Sequence, residues 1–218
     1  MVVCILLAAG FGRRFGRKKQ FVDLCGKKLL EFSLKTVENV PEIDKVVLVL
    51  PKEDMNIDID LKKEFIKVEG GLERQDSVFN GLLAVKDTDI VVIHDSARPF
   101  ATEEMFLEGI KNVKNGWDGS ITAYRSVDTV KKVVDNQVME TLNREQVYIV
   151  QTPQTFNYEK LFRAHINAKE KGIKGTDDSY LMEVMGYRIT VNQGSFLNFK
   201  ITNPEDLIFA EAVCKIKR

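Results

Sequence analysis

The chain has 218 residues with 32 basic and 32 acidic side chains, two histidines and three cysteines, so its formal net charge is zero. The length suits one large domain that buries roughly 70% of its unfolded surface, and the balanced charge argues against a nucleic-acid-binding face. Cys4, Cys25 and Cys214 are far apart and odd in number, which fits neither a disulfide framework nor a CxxC metal site and points to a reducing, cytoplasmic compartment; no apolar run approaches the ~18 residues of a membrane span, and the N-terminus reads as a core strand rather than a signal peptide.

In chain order, Val2–Ala8 predicts a buried strand. Leu29–Val40 predicts a helix with Leu30, Leu34 and Val37 on one face. Val46–Leu50 is a second strand, stopped by Pro51, and Phe65–Glu69 a short third. Asp76–Val85 predicts a helix with Val78, Phe79, Leu82 and Leu83 inward, and Ile90–His94 another buried strand. Thr102 can cap a helix whose first turn carries Glu103 and Glu104. After Gly119 the pattern changes: Ser120–Tyr124 reads as a strand, and Thr129–Val134 with Val138–Leu142 as a hairpin around Asp135-Asn136-Gln137. That hairpin has polar faces and suits either a surface flap or an arm packed on a second subunit. Val147–Gln151 is a strand leading into Thr152-Pro153-Gln154. Tyr158–Lys171 and Asp178–Met185 predict helices closed by Gly172 and Gly186. Arg188–Asn192 and Leu197–Ile201 predict strands, and Asn203 with Pro204 starts a last helix. Helices alternating with non-alternating apolar strands imply an α/β fold, a Rossmann-like, mostly parallel sheet covered on both faces. The expected organisation is one domain over residues 1–218 with a β-arm at about 125–147.

The loop after the first strand, Gly10-Phe11-Gly12-Arg13-Arg14-Phe15-Gly16-Arg17-Lys18-Lys19-Gln20, combines three glycines with five cations. Bare backbone N–H groups and positive charge at a strand end suit a nucleotide triphosphate. The glycine spacing fits neither G-x-G-x-x-G nor the P-loop, and the second strand ends Leu48-Val49-Leu50-Pro51 without the acid that a dinucleotide site needs. Arg14 and Lys19 suit stabilisation of the five-coordinate phosphorus of nucleotidyl transfer; Arg13, Arg17 and Lys18 suit solvated or structural roles. In Gly70-Gly71-Leu72-Glu73-Arg74-Gln75-Asp76-Ser77 the paired glycines allow a close approach to a base. Ser77 is there a helix-start residue or a base donor, and Arg74 a surface cation or a nucleotide contact.

His94-Asp95-Ser96-Ala97-Arg98-Pro99 ends a buried strand. Asp95 and Arg98 either pair with each other or hold a Mg²⁺ ion and a substrate phosphate, one carboxylate sufficing for Mg²⁺; His94 packs or hydrogen-bonds nearby. Thr176 reads most simply as a helix cap. Lys200 sits in an apolar run, where an ammonium needs a partner such as a substrate phosphate. No Ser–His–Asp or Cys–His arrangement is legible, and none is required: a phosphate monoester is already largely dianionic and needs positioning more than deprotonation.

Together these stretches resemble the 2-C-methyl-D-erythritol 4-phosphate cytidylyltransferase family, in order through nearly the whole chain: Leu7–Arg14, Lys19-Gln20, Gly70-Gly71 with Glu73-Arg74 and Asp76-Ser77, His94–Pro99, Asp128–Lys131, Thr152-Pro153-Gln154, Thr176-Asp177-Asp178, and Asn198-Phe199-Lys200 leading to Pro204–Leu207. The resemblance implies transfer of CMP from CTP to methylerythritol phosphate with Mg²⁺. It implies Arg14 and Lys19 as transition-state stabilisers, and Arg144 and Lys200 as residues that orient the acceptor phosphate. Ala8, Ala9, Gly10, Gly71 and Ser77, with Arg74, fall on the CTP side. Asp95, Arg98, Thr129, Thr152 and Thr176 fall on the acceptor side. It also implies a homodimer whose arm lends Thr129 and Arg144 to the neighbouring site, which tips the hairpin toward the arm. Three positions depart from the family's usual pattern: Lys18 where Pro precedes the Lys-Gln pair, Leu72 where relatives often carry Asp, and Ser96 for Ala. A ribitol 5-phosphate cytidylyltransferase would share most of these stretches, and a catalytically silent nucleotide-binding module is the reading from another class.

Overall fold

A computed structural model describes every residue except Phe11, Arg13, Arg14, Lys86, Lys217 and Arg218. Strand β1 (Val2–Leu7) leads through the glycine-rich loop to a 3-10 turn (Lys19–Phe21) and a small ribbon, β2 (Asp23–Leu24) and β3 (Lys27–Lys28). Next come α1 (Leu29–Asn39), β4 (Lys45–Leu50), a 3-10 turn (Lys52–Asp54), β5 (Glu64–Glu69), α2 (Arg74–Leu83), β6 (Ile90–Asp95) and α3 (Glu103–Lys114). The second half holds β7 (Gly119–Arg125), the hairpin β8 (Lys131–Val134) and β9 (Gln137–Thr141), a 3-10 turn (Arg144–Gln146), β10 (Tyr148–Asn157), α4 (Tyr158–Lys171), α5 (Asp178–Val184), β11 (Ile189–Gln193) and α6 (Asp206–Ile216).

Seven strands form one sheet in the order β11-β7-β10-β6-β1-β4-β5. The pairings are parallel except where β10 runs antiparallel to both β6 and β7. This is the expected α/β class, a mostly parallel mixed sheet with helices on both faces and a separate hairpin. Side chains alternate across the sheet. Cys4, Leu6, Val46 and Leu48 pack with α1 and α3, while Val3, Ile5, Val47 and Val49 pack with α2, α4 and α5. Burial on both faces explains why these strands read as continuous apolar runs. A third cluster joins Phe15, Leu24, Leu29, Phe100 and Ile201 to Ala210 and Val213 of α6, so the last helix clamps the loops at the sheet's carboxyl end.

The hairpin turns on Asp135 and Asn136 at φ 47° and 63°, the left-handed pair that a two-residue hairpin turn requires. Every residue of β8 and β9 is exposed, Val133, Val134, Val138 and Met139 included, and neither strand joins the main sheet.

Several expectations need correction. Residues 197–201 are loop, not strand: Asn198 is anchored by Gln151 and by the Thr152 carbonyl rather than by a ladder. The last helix begins at Asp206, two residues beyond Pro204, because the Asp206 carboxylate accepts from the N–H groups of Thr202 and Asn203. The strand expected over 147–151 continues through Thr152-Pro153-Gln154 to Asn157, with its register shifting between Val150 and Gln154. Helix α2 starts at Arg74, and the N–H of Glu73 before it donates to the Asp76 carboxylate.

Candidate active site

The carboxyl ends of β1 and β6, with the loop that follows β5, enclose two joined clefts, the place where open parallel sheets bind ligands. The first, of about 380 Å³, is lined by Ala8, Ala9, Gly10, Gly12, Lys19, Gln20, Gly71, Leu72, Arg74, Ser77, Asp95 and Lys200 among others. The second, of about 420 Å³, is lined by Arg74, Asp95, Arg98, Thr152, Gln154, Thr176, Asp177, Ser179, Glu183 and Lys200 among others. Arg74, Asp95 and Lys200 belong to both and form the wall between them.

The first cleft is shaped by close backbone packing. A Cβ on Gly70 would come 2.3 Å from the Ala9 Cβ, and one on Gly71 would come 2.2 Å from the Asp76 Cβ. The glycines are therefore needed to seat this loop on β1 and on the start of α2. Ser77 lies in the first turn of α2, where it neither caps the helix nor points freely at the cleft. Its hydroxyl donates to the Glu73 carbonyl at 3.1 Å and accepts the Gly71 N–H at 3.0 Å, which fixes the loop. Leu72 projects from the same loop, 88% exposed. The Lys19 ammonium donates to the Ile201 carbonyl at 2.8 Å, and the Ile201 N–H in turn donates to the Ala97 carbonyl at 2.9 Å.

The dividing wall is a chain of charges. Lys200 Nζ donates to Asp95 Oδ2 at 2.6 Å; Arg74 Nε donates to Asp95 Oδ1 at 3.0 Å and Arg74 Nη1 to Asp178 Oδ2 at 2.7 Å. His165 Nε2 lies 3.1 Å from Asp178 Oδ1 at the far end. Asp95 and Asp178 are buried. Burial alone would raise the Asp95 carboxyl, but Arg74 and Lys200 outweigh it and hold the group well below the usual carboxylate range. Burial likewise opposes ionisation of Asp178, and Arg74 with His165 overcomes it. Arg74 is thus not a surface cation: its guanidinium spans two carboxylates at the border of both clefts.

Mg²⁺ was expected on Asp95. Both of its carboxylate oxygens already accept from cations, and among the described residues no group of three or more His, Cys, Asp or Glu side chains could hold a metal ion. Asp95 does not fit the part of a metal ligand, and its place is that of an anion that organises Arg74 and Lys200.

Thr152 borders the second cleft but turns its hydroxyl inward, where it accepts the Asp95 N–H at 3.0 Å and lies 3.0 Å from His94 Nδ1. His94 is fully buried against Phe106, and burial pushes its pKa down to about 3. With the ring neutral, its tautomer sets which of the two groups donates. Arg98 donates through Nη1 to the Asn198 carbonyl at 2.7 Å, while its buried Nε has no hydrogen-bond partner. Thr176 is not the cap of α5: Asp177 is, accepting the Tyr180 N–H at 3.0 Å, and Thr176 stands exposed on the cleft rim.

Of the site residues expected from sequence, Ala8, Ala9, Gly10, Lys19, Gly71, Arg74, Ser77, Asp95, Arg98, Thr152, Thr176 and Lys200 therefore meet at these two clefts. Arg14 lies outside the described residues. Thr129 and Arg144 are exposed beside the hairpin and line neither cleft. Sequence reasoning missed Gln20, a buried residue of the first cleft whose Nε2 has no partner, and the His165–Asp178 pair. The signal for that pair was a histidine on the same inward stripe of α4 as Leu161, Ala164 and Ala168.

The family profile of 2-C-methyl-D-erythritol 4-phosphate cytidylyltransferase (IspD) matches residues 2–216. The chain is 48% identical over 207 residues to the 2-C-methyl-D-erythritol 4-phosphate cytidylyltransferase of Aquifex aeolicus, covering 95% of this chain and 94% of that one. To the Clostridium acetobutylicum enzyme of the same description it is 39% identical over 225 residues, covering 99% and 98%. Its fold superposes on the crystal structure of 4-diphosphocytidyl-2C-methyl-D-erythritol synthase from Anaerococcus prevotii with a TM-score of 0.90 at 37% identity, covering 99% of this chain and 96% of that one. On this agreement of motifs, fold and sequence along its length, the chain belongs to the 2-C-methyl-D-erythritol 4-phosphate cytidylyltransferase family.

Proposed function

We propose that the two clefts transfer CMP from CTP to 2-C-methyl-D-erythritol 4-phosphate and release pyrophosphate, a step of the non-mevalonate route to isoprenoid precursors. The observation that carries this reading is the shared wall: two ligand-sized clefts meet at Arg74, Asp95 and Lys200, so two substrates can touch at one point. CTP takes the first cleft, its base against the Gly70-Gly71 loop and its phosphates toward Lys19. The acceptor takes the second. Its phosphate faces Lys200 and the unpartnered Arg98 Nε, and its hydroxyls face the acceptor oxygens of Asp177 and Glu183.

An acceptor phosphate oxygen attacks the α-phosphorus of CTP; the new O–P bond forms as the bond to the β-phosphate oxygen breaks, and the electron pair leaves on pyrophosphate. No proton needs to move, because the acceptor phosphate is largely dianionic. Lys19 opposes the charge gained by the phosphoryl oxygens, and Arg14 joins it in this role. Asp95 keeps Lys200 and Arg74 in place, and its remaining lone pairs suit acceptor hydroxyls. Mg²⁺ belongs to the triphosphate and water rather than to a protein carboxylate.

The organisation we propose is one nucleotidyltransferase domain over 1–218 and a homodimer joined through the arm at about 125–147. An isolated two-stranded hairpin is marginal in water, and this one exposes four large apolar side chains. Docked on a second subunit, it would carry Thr129 and Arg144 to the neighbour's acceptor cleft. A cytoplasmic location suits three cysteines that lie far apart in the sequence and, odd in number, fit no disulfide framework. No helix among the described residues is long and apolar enough to cross a membrane.

Pyrophosphate release from CTP, with methylerythritol phosphate and ribitol 5-phosphate offered separately, tests the reading. Turnover is expected with the first. Faster turnover on ribitol 5-phosphate would overturn the acceptor assignment, and none on either would leave a silent nucleotide-binding module.

A further inference from the structure

The reaction asks Lys19 to hold its ammonium at one point of the first cleft, and Lys19 stands at the end of a glycine-rich loop. Gly12 and Gly16 lie at φ +64° and +79°, and the turn that carries Lys19 and Gln20 is only three residues long. Lys18, the residue before that turn, makes no side-chain capping bond.

What restrains the turn lies across the molecule. Lys18 Nζ stands 2.9 Å from Glu53 Oε1 and 2.7 Å from Asp54 Oδ2. Both carboxylates sit on the 3-10 turn Lys52–Asp54, which follows Pro51 at the end of β4, and Asp54 N–H donates to the Pro51 carbonyl at 2.9 Å. Strand β4 is an interior strand whose last five residues are fully buried, so this turn is tied to the buried middle of the sheet. On its other side the Lys19 turn rests on the Ile201 carbonyl.

We propose that the Lys18–Glu53–Asp54 ion pair is a latch that positions Lys19 and Gln20 for catalysis. The proposal rests on the reaction assigned above. Lys18 does not line either cleft, so it is a positioning residue that acts through its neighbour. Half-exposed ion pairs add little to global stability. The latch therefore acts on the rate more than on the melting temperature, and high salt weakens it, since the screening length falls from roughly 8 Å at physiological ionic strength to about 3 Å at 1 M.

The test is steady-state kinetics of the full-length chain on CTP and methylerythritol phosphate from low to high NaCl. It compares wild type with Lys18→Met, the double variant Glu53→Gln/Asp54→Asn, and Lys18→Pro. A small misplacement of a catalytic group is costly, so Lys18→Met and the double variant should each lower kcat by about 5–10-fold with KM for CTP within about twofold. Rising salt should bring wild type down toward Lys18→Met. Lys18 has φ −66°, which proline adopts without strain, so Lys18→Pro should restore most of the rate and make it insensitive to salt. A Lys18→Met enzyme with wild-type kcat and salt profile would overturn the latch alone; an inactive wild type would overturn the assigned reaction and the latch with it.

Discussion

Beyond the Arg74, Asp95 and Lys200 that they share, the first cleft adds small residues, Ala8, Ala9, Gly10 and Gly71, to the charges of Lys19 and Glu73, whereas the second adds mainly side chains that carry charge or hydroxyls, Arg98, Thr176, Asp177, Ser179 and Glu183. The difference follows from where each cleft lies on the sheet. The first sits over parallel strands whose ends are fixed by ladders on both sides, so its shape is set by main chain and by glycines that tolerate close contact. The second lies where β10 runs antiparallel and shifts register, and loops from 173–178 and 194–202 fill the gap with side chains. Thr129 and Arg144 line neither cleft.

The largest effect should come from Lys19, the cation of the first cleft. Lys19→Ala is expected to lower kcat by about 10²–10³-fold while the CTP dissociation constant changes only a few-fold, because the ammonium acts on charge that develops in the transition state. Stopped-flow or quench measurements of turnover beside nucleotide titrations separate the two. A parallel loss of both would make Lys19 an ordinary ground-state contact and erase the proposed division of labour between backbone and cation.

The same contrast governs what could be read from the sequence. The β1, β4 and β6 strands are legible because both faces are buried and nearly every residue is apolar. Leu197-Asn198-Phe199-Lys200-Ile201 alternates like a half-buried strand, yet it is loop, since its alternation serves a side-chain network. Asn198 faces Gln151 and the Thr152 carbonyl, Ile201 enters the α6 cluster, and Lys200 reaches Asp95. The need of Lys200 for an anionic partner was legible from the cost of a buried ammonium; that the partner is Asp95 was not. Arg74 was equally opaque, because nothing local distinguishes a surface arginine from one spanning carboxylates 21 and 104 residues away.

The proposed sharing of the second cleft between subunits leads to the next effect. If the arm of one subunit completes its neighbour's acceptor cleft, Arg144→Ala should be as inactive as Lys19→Ala when each is assayed alone. Mixed and re-equilibrated, half of the dimers would be hybrids with one intact site of two, so about a quarter of wild-type activity should return. No recovery, with hybrids demonstrated by mass, would place Arg144 outside the site and leave the second cleft to its own chain.

The smallest effect concerns the support beneath the wall that the two clefts share. His94 is neutral in the folded protein, its pKa pushed down to about 3 by burial, against about 6.5 when unfolded. Its contribution to stability is therefore fully present above pH 6.5 and declines as the pH falls below that value, because the unfolded chain binds a proton that the folded one refuses. Asp95 and Asp178, whose folded pKa values are depressed, act in a lower window: their contribution is present above about pH 4 and is lost as the pH falls through their folded values. Between pH 6.5 and 4.5 the wild type should lose up to about 1.4 kcal/mol per pH unit through His94. His94→Gln should be less stable at pH 7 by about 1–3 kcal/mol, from its disturbed bond to Thr152, yet flatter across that window. Urea denaturation at half-unit steps reads both. An unchanged slope in the variant would show that the acid sensitivity arises elsewhere, whereas a flattened slope that leaves the drop below pH 4 intact assigns the upper window to His94 and the lower to the carboxylates of the wall.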